Sequence, residues 1–232
     1  MEFFLEVLIG GLLAGVMYSL VALGFVLIYK ASGVFNFAQG AMVFFAALTF
    51  VSLVERGMNF WVAMVVTLGV MVVLGVLIEK IVLRPLVNQA QITLFMATIG
   101  LTFFLEGFSQ ALWGSQPHAL NIGISDEPIG WLADRHNILV SKFDLYAALI
   151  AGILVAVLAL FFQKTRIGRA LRAVADDHQA ALAVGIPLKQ IWGVVWAVAG
   201  LVALVAGLLW GARAAGVQYA LTFTALKALP VL

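Results

Sequence analysis

Cysteine is absent from this 232-residue chain, and charged side chains make up only 10% of it. Without cysteine there is no disulfide, no thiolate metal site and no cysteine nucleophile. Soluble domains contain about 25% charged and about 45–50% apolar residues, whereas 64% of this chain is hydrophobic. A water-soluble fold of this size could not bury so much apolar surface, so the composition indicates a protein that crosses the membrane several times.

The motifs of nucleotide-binding and hydrolytic proteins are also missing. No lysine follows a glycine, so the chain has no phosphate-binding loop of the G-x-x-x-x-G-K-[ST] type. The zinc-protease pattern H-E-x-x-H is absent, and the three histidines lie far apart in loops, at His118, His136 and His178. The sequence therefore predicts no enzymatic activity, no bound cofactor, no metal site and no nucleic-acid partner.

Six apolar segments predict transmembrane helices, since about 20 apolar residues are needed to cross the hydrocarbon layer. They lie at 5–29, 37–54, 60–83, 92–113, 144–162 and 191–210. A seventh apolar stretch begins near Val217 and runs to the last residue. We expect an all-α polytopic membrane protein, with one transmembrane domain over 1–232, at least six transmembrane helices and an incomplete seventh segment.

Lysine and arginine are divided unevenly between two sets of loops. The loops after the first, third and fifth segments hold eight of them, and the opposite loops hold four. Because short cytoplasmic loops carry the excess of positive charge, the first set is predicted to be cytoplasmic, including the loop at 164–190. The loop at 114–143 then lies outside, where its Gly, Pro, Asn and Asp content predicts turns and a short hairpin or surface helix.

Polar residues interrupt the second segment in the stretch NFAQG, residues 36–40. Asn36 and Gln39 are three residues apart, so they share a face if the stretch is helical, and Gly40 follows. Polar groups at membrane depth persist only when protein satisfies them or when they line a wet cavity. Two interpretations stay open: a broken or re-entrant segment that faces a translocation path, and a turn that caps the second segment.

Glu106 is the charged residue deepest inside a predicted span. An ionised carboxylate at that depth is costly, so it must be paired, protonated or in contact with water. It is either a relay for protons or cations, or a carboxylate hydrogen-bonded within the bundle. Thr98 and Thr102 lie four residues apart on the same helix, where each hydroxyl can bond to its own backbone.

Small residues recur at four-residue spacing in two places. The first is Gly11 and Gly15, and the second is Ala203, Gly207 and Gly211. Such residues let helix backbones approach closely. The pattern fits packing inside this chain and an interface with another subunit equally well.

The stretch GRALRAVADDHQAALAVGI, at 168–186, is unusually polar and organised for this chain. Asp176 or Asp177 is suited to cap a helix over 178–184, Gly185 suits its C-terminal end, and Pro187 prevents continuation. The apolar residues on one side are Leu171, Val174, Ala181, Leu182 and Val184, and the polar ones on the other side are Arg169, Arg172, Asp176, Asp177 and Gln179. A loop that is basic only because it lies in the cytoplasm would not need these helix caps. We therefore expect one or two short helices that dock on another protein.

Two stretches carry a resemblance to a known family. NFAQG, which follows GLLAGVMYSLVALGFVLIYKASG, resembles the N-terminal signature of the permeases of bacterial branched-chain amino acid ABC importers. The stretch at 168–186 resembles the cytoplasmic loop through which those permeases couple to their ATPases. The resemblance extends over essentially the whole chain in order, although members of the family continue past LKALPVL, where this sequence ends.

The resemblance implies an ABC-importer permease fold in the bacterial inner membrane, in contact with lipid. It implies a second related permease, two cytosolic ATPase subunits that use the ATP, and a periplasmic binding protein that delivers substrate. The expected substrates are branched-chain or other hydrophobic amino acids, with urea, short amides or aromatic acids as the alternative. A stand-alone secondary transporter and a membrane scaffold without transport remain further alternatives.

Roles for individual residues follow as expectations. The substrate path is assigned to Asn36, Gln39, Gly40, Thr98 and Thr102. Coupling to the ATPases is assigned to Arg169, Leu171, Arg172, Val174, Asp176, Asp177, Ala181, Leu182 and Gly185. In this prediction the four apolar coupling residues fill a groove on an ATPase, and the two arginines contact its rim or anionic lipid.

Overall fold

Helices make up most of the residues that the computed structural model describes, which are 2–33, 35–86, 89–130, 133–134, 138–214 and 216–228. In these ranges the extended structure is limited to two isolated antiparallel bridges, His118 with Val217 and Pro128 with Ser141. The prediction of an all-α protein is confirmed. In the loop at 114–143, predicted to contain a hairpin or surface helix, residues 130 and 133–134 are helical and Pro128 forms a bridge with Ser141.

Nine helices follow one another along the described chain. They are α1 (Glu2–Ser32), α2 (Gln39–Glu55), α3 (Phe60–Leu77), α4 (Gln91–Trp113), α5 (Lys142–Lys164), α6 (Arg166–Asp176), α7 (His178–Ala183), α8 (Leu188–Arg213) and α9 (Thr224–Lys227). A π-helical turn, Ile78–Leu83, and a 3-10 turn, Arg84–Leu86, extend α3, and a 3-10 turn, Tyr219–Phe223, precedes α9.

Five of these helices are long and apolar enough to cross a membrane: α1, α3 with its extension, α4, α5 and α8. Helix α2 is apolar as well, but it is shorter, at 17 residues. The seventh apolar stretch forms the 3-10 turn and α9, which pack against α2, so its described part is not a long helix.

Helix α8 is the centre of the bundle and packs against α1, α2 and α3. Glycines permit the closest of these approaches. A Cβ atom on Gly200 would lie 2.7 Å from the carbonyl oxygen of Met71, and one on Gly75 would lie 2.5 Å from that of Trp196. These contacts are backbone to backbone, so no side-chain rotation could make room for a larger residue.

The two clusters of small residues have different surroundings. Ala203 is buried, and Gly207 and Gly211 lie against residues of this chain, so the α8 cluster serves packing within the subunit. No described atom outside their own helix and chain neighbours comes within 4 Å of a Cβ built on Gly11 or Gly15. The α1 cluster therefore does not take part in internal packing.

Residues predicted to lie outside meet at one end of the bundle. The His118 imidazole Nδ1 lies 3.0 Å from a carboxylate oxygen of Glu55, and the amide of Val217 donates to the carbonyl of His118 at 2.8 Å. At the same end Arg213, which terminates α8, pairs with Asp144 in the first turn of α5. These contacts tie together segments that are far apart in sequence.

Residues predicted to be cytoplasmic meet at the other end. The indole nitrogen of Trp192 donates to the carbonyl of Ala31 at 2.7 Å, which joins the start of α8 to the end of α1. Glu79, in the π-helical turn, is almost fully buried and forms a two-pronged ion pair with Arg84 at 2.6 and 2.9 Å. The loops thus fall into the two groups that the charge distribution separates, and which end of the bundle is cytoplasmic stays a prediction.

Replacing Gly75 by alanine tests the α3–α8 contact. The added Cβ meets the Trp196 carbonyl, so Gly75→Ala is expected to destabilise the protein by about 1–3 kcal/mol, the usual cost of overpacking. Gly69→Ala, six residues earlier on an exposed face of α3 with no atom near its Cβ, gains helix propensity and should be neutral or stabilising by up to ~1 kcal/mol. Thermal unfolding of both variants in detergent measures the difference, and equal midpoints would contradict this packing.

Candidate functional site

The turn between α1 and α2 is built around a buried pair of amides. The Asn36 side-chain oxygen accepts from the Ala38 amide at 3.1 Å, and its nitrogen donates to the Gln39 side-chain oxygen at 3.2 Å. Neither Asn36 nor Gln39 exposes any surface. The pair therefore stabilises the turn that leads into α2, as one of the two interpretations of NFAQG requires.

Gln39 also fixes the distance between α2 and α1. A Cβ atom on Gly24 would overlap the Gln39 side chain, so the absence of a side chain at Gly24 is what admits the amide. The Gln39 amide nitrogen is buried and has no hydrogen-bond partner in the described structure. Because both amides are enclosed, they do not form the wall of an open path in this conformation, and their role in a substrate path stays a prediction.

Two other predicted path residues also lie in close packing. A Cβ atom on Gly40 would overlap the carbonyl oxygen of Thr222, so Gly40 brings the 3-10 turn against α2. Thr98 is fully buried, and its hydroxyl lies 3.1 Å from the carbonyl of Phe35 and 2.9 Å from that of Phe95. These are packing contacts within the chain, and they do not test the assignment of Gly40 and Thr98 to the substrate path.

The remaining predicted path residue, Thr102, lines a cavity of about 180 Å³ between α2, α4 and the 3-10 turn with α9. Glu106 lies in the same cavity, one helical turn further along α4. The other lining residues are apolar except for Thr222, and they are Phe37, Ala41, Ile99, Phe103, Phe223, Ala225 and Leu226. This cavity, which we call the Glu106 cavity, combines one carboxylate with an apolar wall.

Glu106 is 7% exposed, and the hydroxyl of Tyr219 donates to its Oε2 at 3.3 Å. Among the described residues no lysine, arginine or histidine lies within ion-pair distance of this carboxylate. The hydrogen bond within the bundle that one interpretation of Glu106 required is therefore present. A relay role stays a prediction, and the described residues contain no cluster of His, Asp and Glu that could hold a metal ion.

The predicted coupling stretch forms α6 and α7, with caps where the sequence predicts them. The Asp177 carboxylate accepts from the Ala180 amide at 3.0 Å, and Gly185 adopts a left-handed φ of +82° after α7. At the start of α6 the Thr165 hydroxyl accepts from the Gly168 amide at 3.1 Å, a cap that sequence reasoning missed. The prediction of short capped helices is confirmed.

Three residues of the predicted apolar side face this chain, whereas Val184 is exposed. Leu171 and Val174 in α6 are 4% and 0% exposed, because α6 packs on α1, α5 and α8, and Ala181 in α7 is 2% exposed. These three side chains are not free to enter a groove on an ATPase in this conformation, and their assignment to coupling stays a prediction. The Leu182 side chain lies outside the described residues. The exposed surface of the stretch instead carries Arg169, Asp176 and Val184.

Helix α6 is held against the C-terminal end of α5. A Cβ atom on Gly168 would overlap the Phe162 carbonyl, so the two backbones are in direct contact. The Arg172 guanidinium donates to that carbonyl at 2.8 Å. Cations favour helix C-termini, where carbonyl groups lack partners inside the helix. Arg172 therefore fastens α6 to α5, and its predicted place at the rim of an ATPase contact stays a prediction.

A model of one protein family, described as a permease component of branched-chain amino acid transport systems, matches residues 7–230. The chain belongs to this family. It is a multi-pass inner-membrane transport protein, and as a permease component it is one part of a larger transport system.

Curated relatives agree with this assignment. The permease LivH of a high-affinity branched-chain amino acid transport system from Escherichia coli is 24% identical over 218 residues, which are 90% of this chain and 71% of the relative. BraD from Pseudomonas aeruginosa is 24% identical over 217 residues, with the same coverage. A fructose import permease, FruF from Bifidobacterium longum, is 25% identical over 82% of this chain and 51% of its own length. No solved structure matches the chain significantly.

Sequence reasoning missed the partners of Glu106. Tyr219 bonds to Glu106 from 113 residues further along the chain, and Thr222 lines the Glu106 cavity from 116 residues further along. A local pattern in the sequence cannot show such a pairing. The local signal was the composition of the 3-10 turn, which is less apolar than the helices before it. Thr222 lies in this turn, and Thr224 directly follows it.

The role of the amide pair can be tested by two alanine substitutions. Each removes a hydrogen bond from an asparagine side-chain oxygen to the backbone amide two residues later. Asn36→Ala leaves the Ala38 amide and the Gln39 oxygen buried without partners, so it should cost about 1–3 kcal/mol. Asn121→Ala removes an equivalent bond from the Gly123 amide at an exposed position and should change stability by less than ~0.5 kcal/mol. Thermal unfolding midpoints in detergent distinguish the two variants. An unchanged midpoint for Asn36→Ala would refute a structural role for the amide pair.

Proposed function

We propose that this chain is a passive, membrane-spanning translocation subunit of an ATP-driven importer of branched-chain or other hydrophobic amino acids. In this proposal it pairs with a second, related permease, and two cytosolic ATPases supply the work, because the chain has no nucleotide site of its own. A periplasmic binding protein delivers the substrate. No cofactor is bound by this chain.

The observation that carries this proposal is the family match over residues 7–230, in a chain that lacks a phosphate-binding loop. A transport component without a nucleotide motif must obtain free energy elsewhere. The relatives with the same coverage belong to branched-chain amino acid systems. The fructose permease is similar over a smaller part of its own length, and urea, amides and aromatic acids have no support among these relatives.

Helices α6 and α7 are the proposed coupling element, in a revised orientation. Their apolar side is buried in the bundle, and Arg172 and Gly168 hold α6 on the end of α5. A force applied to the exposed side would therefore move α5 and α1 together with α6. The ATPase contact is assigned to the exposed surface around Arg169, Asp176 and Val184, where Val184 is 76% exposed.

A stand-alone secondary transporter is the competing function. Such proteins place several ionisable residues at membrane depth, at the site where substrate and coupling ion bind. In the described structure Glu79 is neutralised by Arg84, and Glu106 is the buried carboxylate that lacks a cationic partner. A single carboxylate gives little basis for ion coupling.

Reconstitution tests the proposed function directly. Proteoliposomes that contain this chain, its partner permease and both ATPases, supplied with the binding protein and labelled leucine, should accumulate leucine only when ATP is present on the ATPase side. A mutation that abolishes hydrolysis in the ATPases is the control. Uptake that proceeds without ATP and follows an ion gradient would contradict the proposal and support the secondary transporter.

The coupling surface is tested by charge substitutions at two equally apolar, exposed sites. Val184→Glu should weaken binding of the ATPases roughly tenfold or more, because a carboxylate would be buried at the contact without a partner. Leu139→Glu, in the opposite loop and 59% exposed, should leave ATPase binding unchanged. Co-purification of the ATPases with each variant is the measurement, and unchanged binding of Val184→Glu would remove this surface from the contact.

A further inference from the structure

The Glu106 carboxylate is buried in an apolar bundle without a cationic partner among the described side chains. Its hydrogen-bonding neighbours are neutral: the Tyr219 hydroxyl donates to it at 3.3 Å, and the Thr222 hydroxyl also interacts with it. A buried carboxylate is stable only when it is protonated, paired or in contact with water. Because Glu106 lines a cavity, a ligand can supply the missing positive charge.

The polar groups of the cavity are better suited to bind a cation than an anion. The Thr102 hydroxyl donates to the Thr98 carbonyl at 2.9 Å, and the Thr222 hydroxyl donates to the Tyr219 carbonyl at 2.8 Å. The Tyr219 hydroxyl proton is directed at Glu106. Each hydroxyl proton is therefore already committed, so a ligand carboxylate would find no free donor among these groups, whereas an ammonium group would find the Glu106 carboxylate and oxygen acceptors.

The rest of the cavity suits a small branched alkyl group. Its wall is formed by apolar side chains, among them Phe37, Ile99 and Phe223. Its volume, about 180 Å³, is below the roughly 300–1,000 Å³ of sites for drug-sized ligands. The cavity can thus hold one charged head and a few carbon atoms.

The surroundings of the cavity indicate that it opens toward a partner or a water path. Phe103, Phe223 and Leu226 line it and are 68%, 47% and 48% exposed in the isolated chain. An ionised Glu106, at 7% exposed, would have neither water nor a counter-charge if its cavity opened into lipid. The face that contains these residues is therefore the face we assign to the central path.

We infer that the Glu106 cavity is a subsite for the ammonium group and branched side chain of an amino acid in transit, with the substrate carboxylate directed toward the opening. This inference rests on the proposed function and adds the chemical feature that is recognised. It also explains how such a path would distinguish amino acids from neutral solutes such as sugars or amides, which do not bring a positive charge to the carboxylate.

The test uses two halves of leucine as probes on the assembled complex in lipid nanodiscs, without the binding protein. Labelled 3-methylbutylamine carries the ammonium and the branched chain, and 4-methylpentanoate carries the carboxylate and the branched chain. We expect the wild-type complex to bind the amine and not the acid. Glu106→Gln, which keeps the size of the side chain, should weaken amine binding roughly tenfold or more, since the bond to a charged group is lost.

Tyr219→Phe is the matched control, because it removes the hydrogen bond to Glu106 and keeps the negative charge. It should reduce amine binding much less than Glu106→Gln. Equal affinity of Glu106→Gln and wild type for the amine, or wild-type binding of the acid as tight as that of the amine, would overturn the inference. If the complex that carries Glu106→Gln does not assemble, the inference is tested by comparing the binding of the amine and of the acid to the wild-type complex.

The outcome also separates this inference from the proposed function. ATP-driven leucine uptake by a complex that does not bind the amine would leave the function standing and remove the subsite. Amine binding that depends on Glu106, in a complex that shows no ATP-driven uptake of leucine, would keep the subsite and refute the function.

Discussion

The close approach of backbones around α8 is the constraint on which the rest of the structure depends. Lipid chains are as apolar as leucine, so burial of apolar surface does not drive helices together inside a bilayer, and tight packing has to do so. Glycine supplies that packing where Gly200 meets Met71, where Gly75 meets Trp196 and where Gly207 meets the Val43 carbonyl. Helices α1, α2 and α3 are thereby fixed around α8, and α5 and α6 are fixed through α1.

Polar groups in this bundle fall into two classes. The Asn36 amide, the Thr98 hydroxyl and the Glu79 carboxylate are satisfied by neighbours in the same chain, and they stabilise turns and helix ends. Glu106 is different, because it is bordered by a cavity and lacks a cationic partner in the described part of the chain. The proposed substrate contact is therefore placed at the buried carboxylate that lines a cavity, while the satisfied groups explain why the bundle holds its shape.

Much of the fold could be predicted from the sequence because it is local. The long apolar segments, the Asp177 cap and the Gly185 stop all depend on residues close in the chain. What covers an apolar helix face is not local, and for that reason the inward orientation of Leu171 could not be predicted, nor could the approach of Tyr219 to Glu106. Amphipathic spacing shows that one face of a helix is buried, but it does not show which surface packs against that face.

Helix α6 is the element proposed to connect the ATPases to the membrane bundle. Its attachment to α5 requires that the two helices move as one body. Since the chain has no cysteine, spin labels can be placed on Leu160→Cys in α5 and Arg169→Cys in α6, both exposed, in a complex whose partners are also free of cysteine. Pulsed electron resonance should give one narrow distance between the labels that is the same with and without ATP. A distance that broadens or shifts when ATP binds would contradict the account.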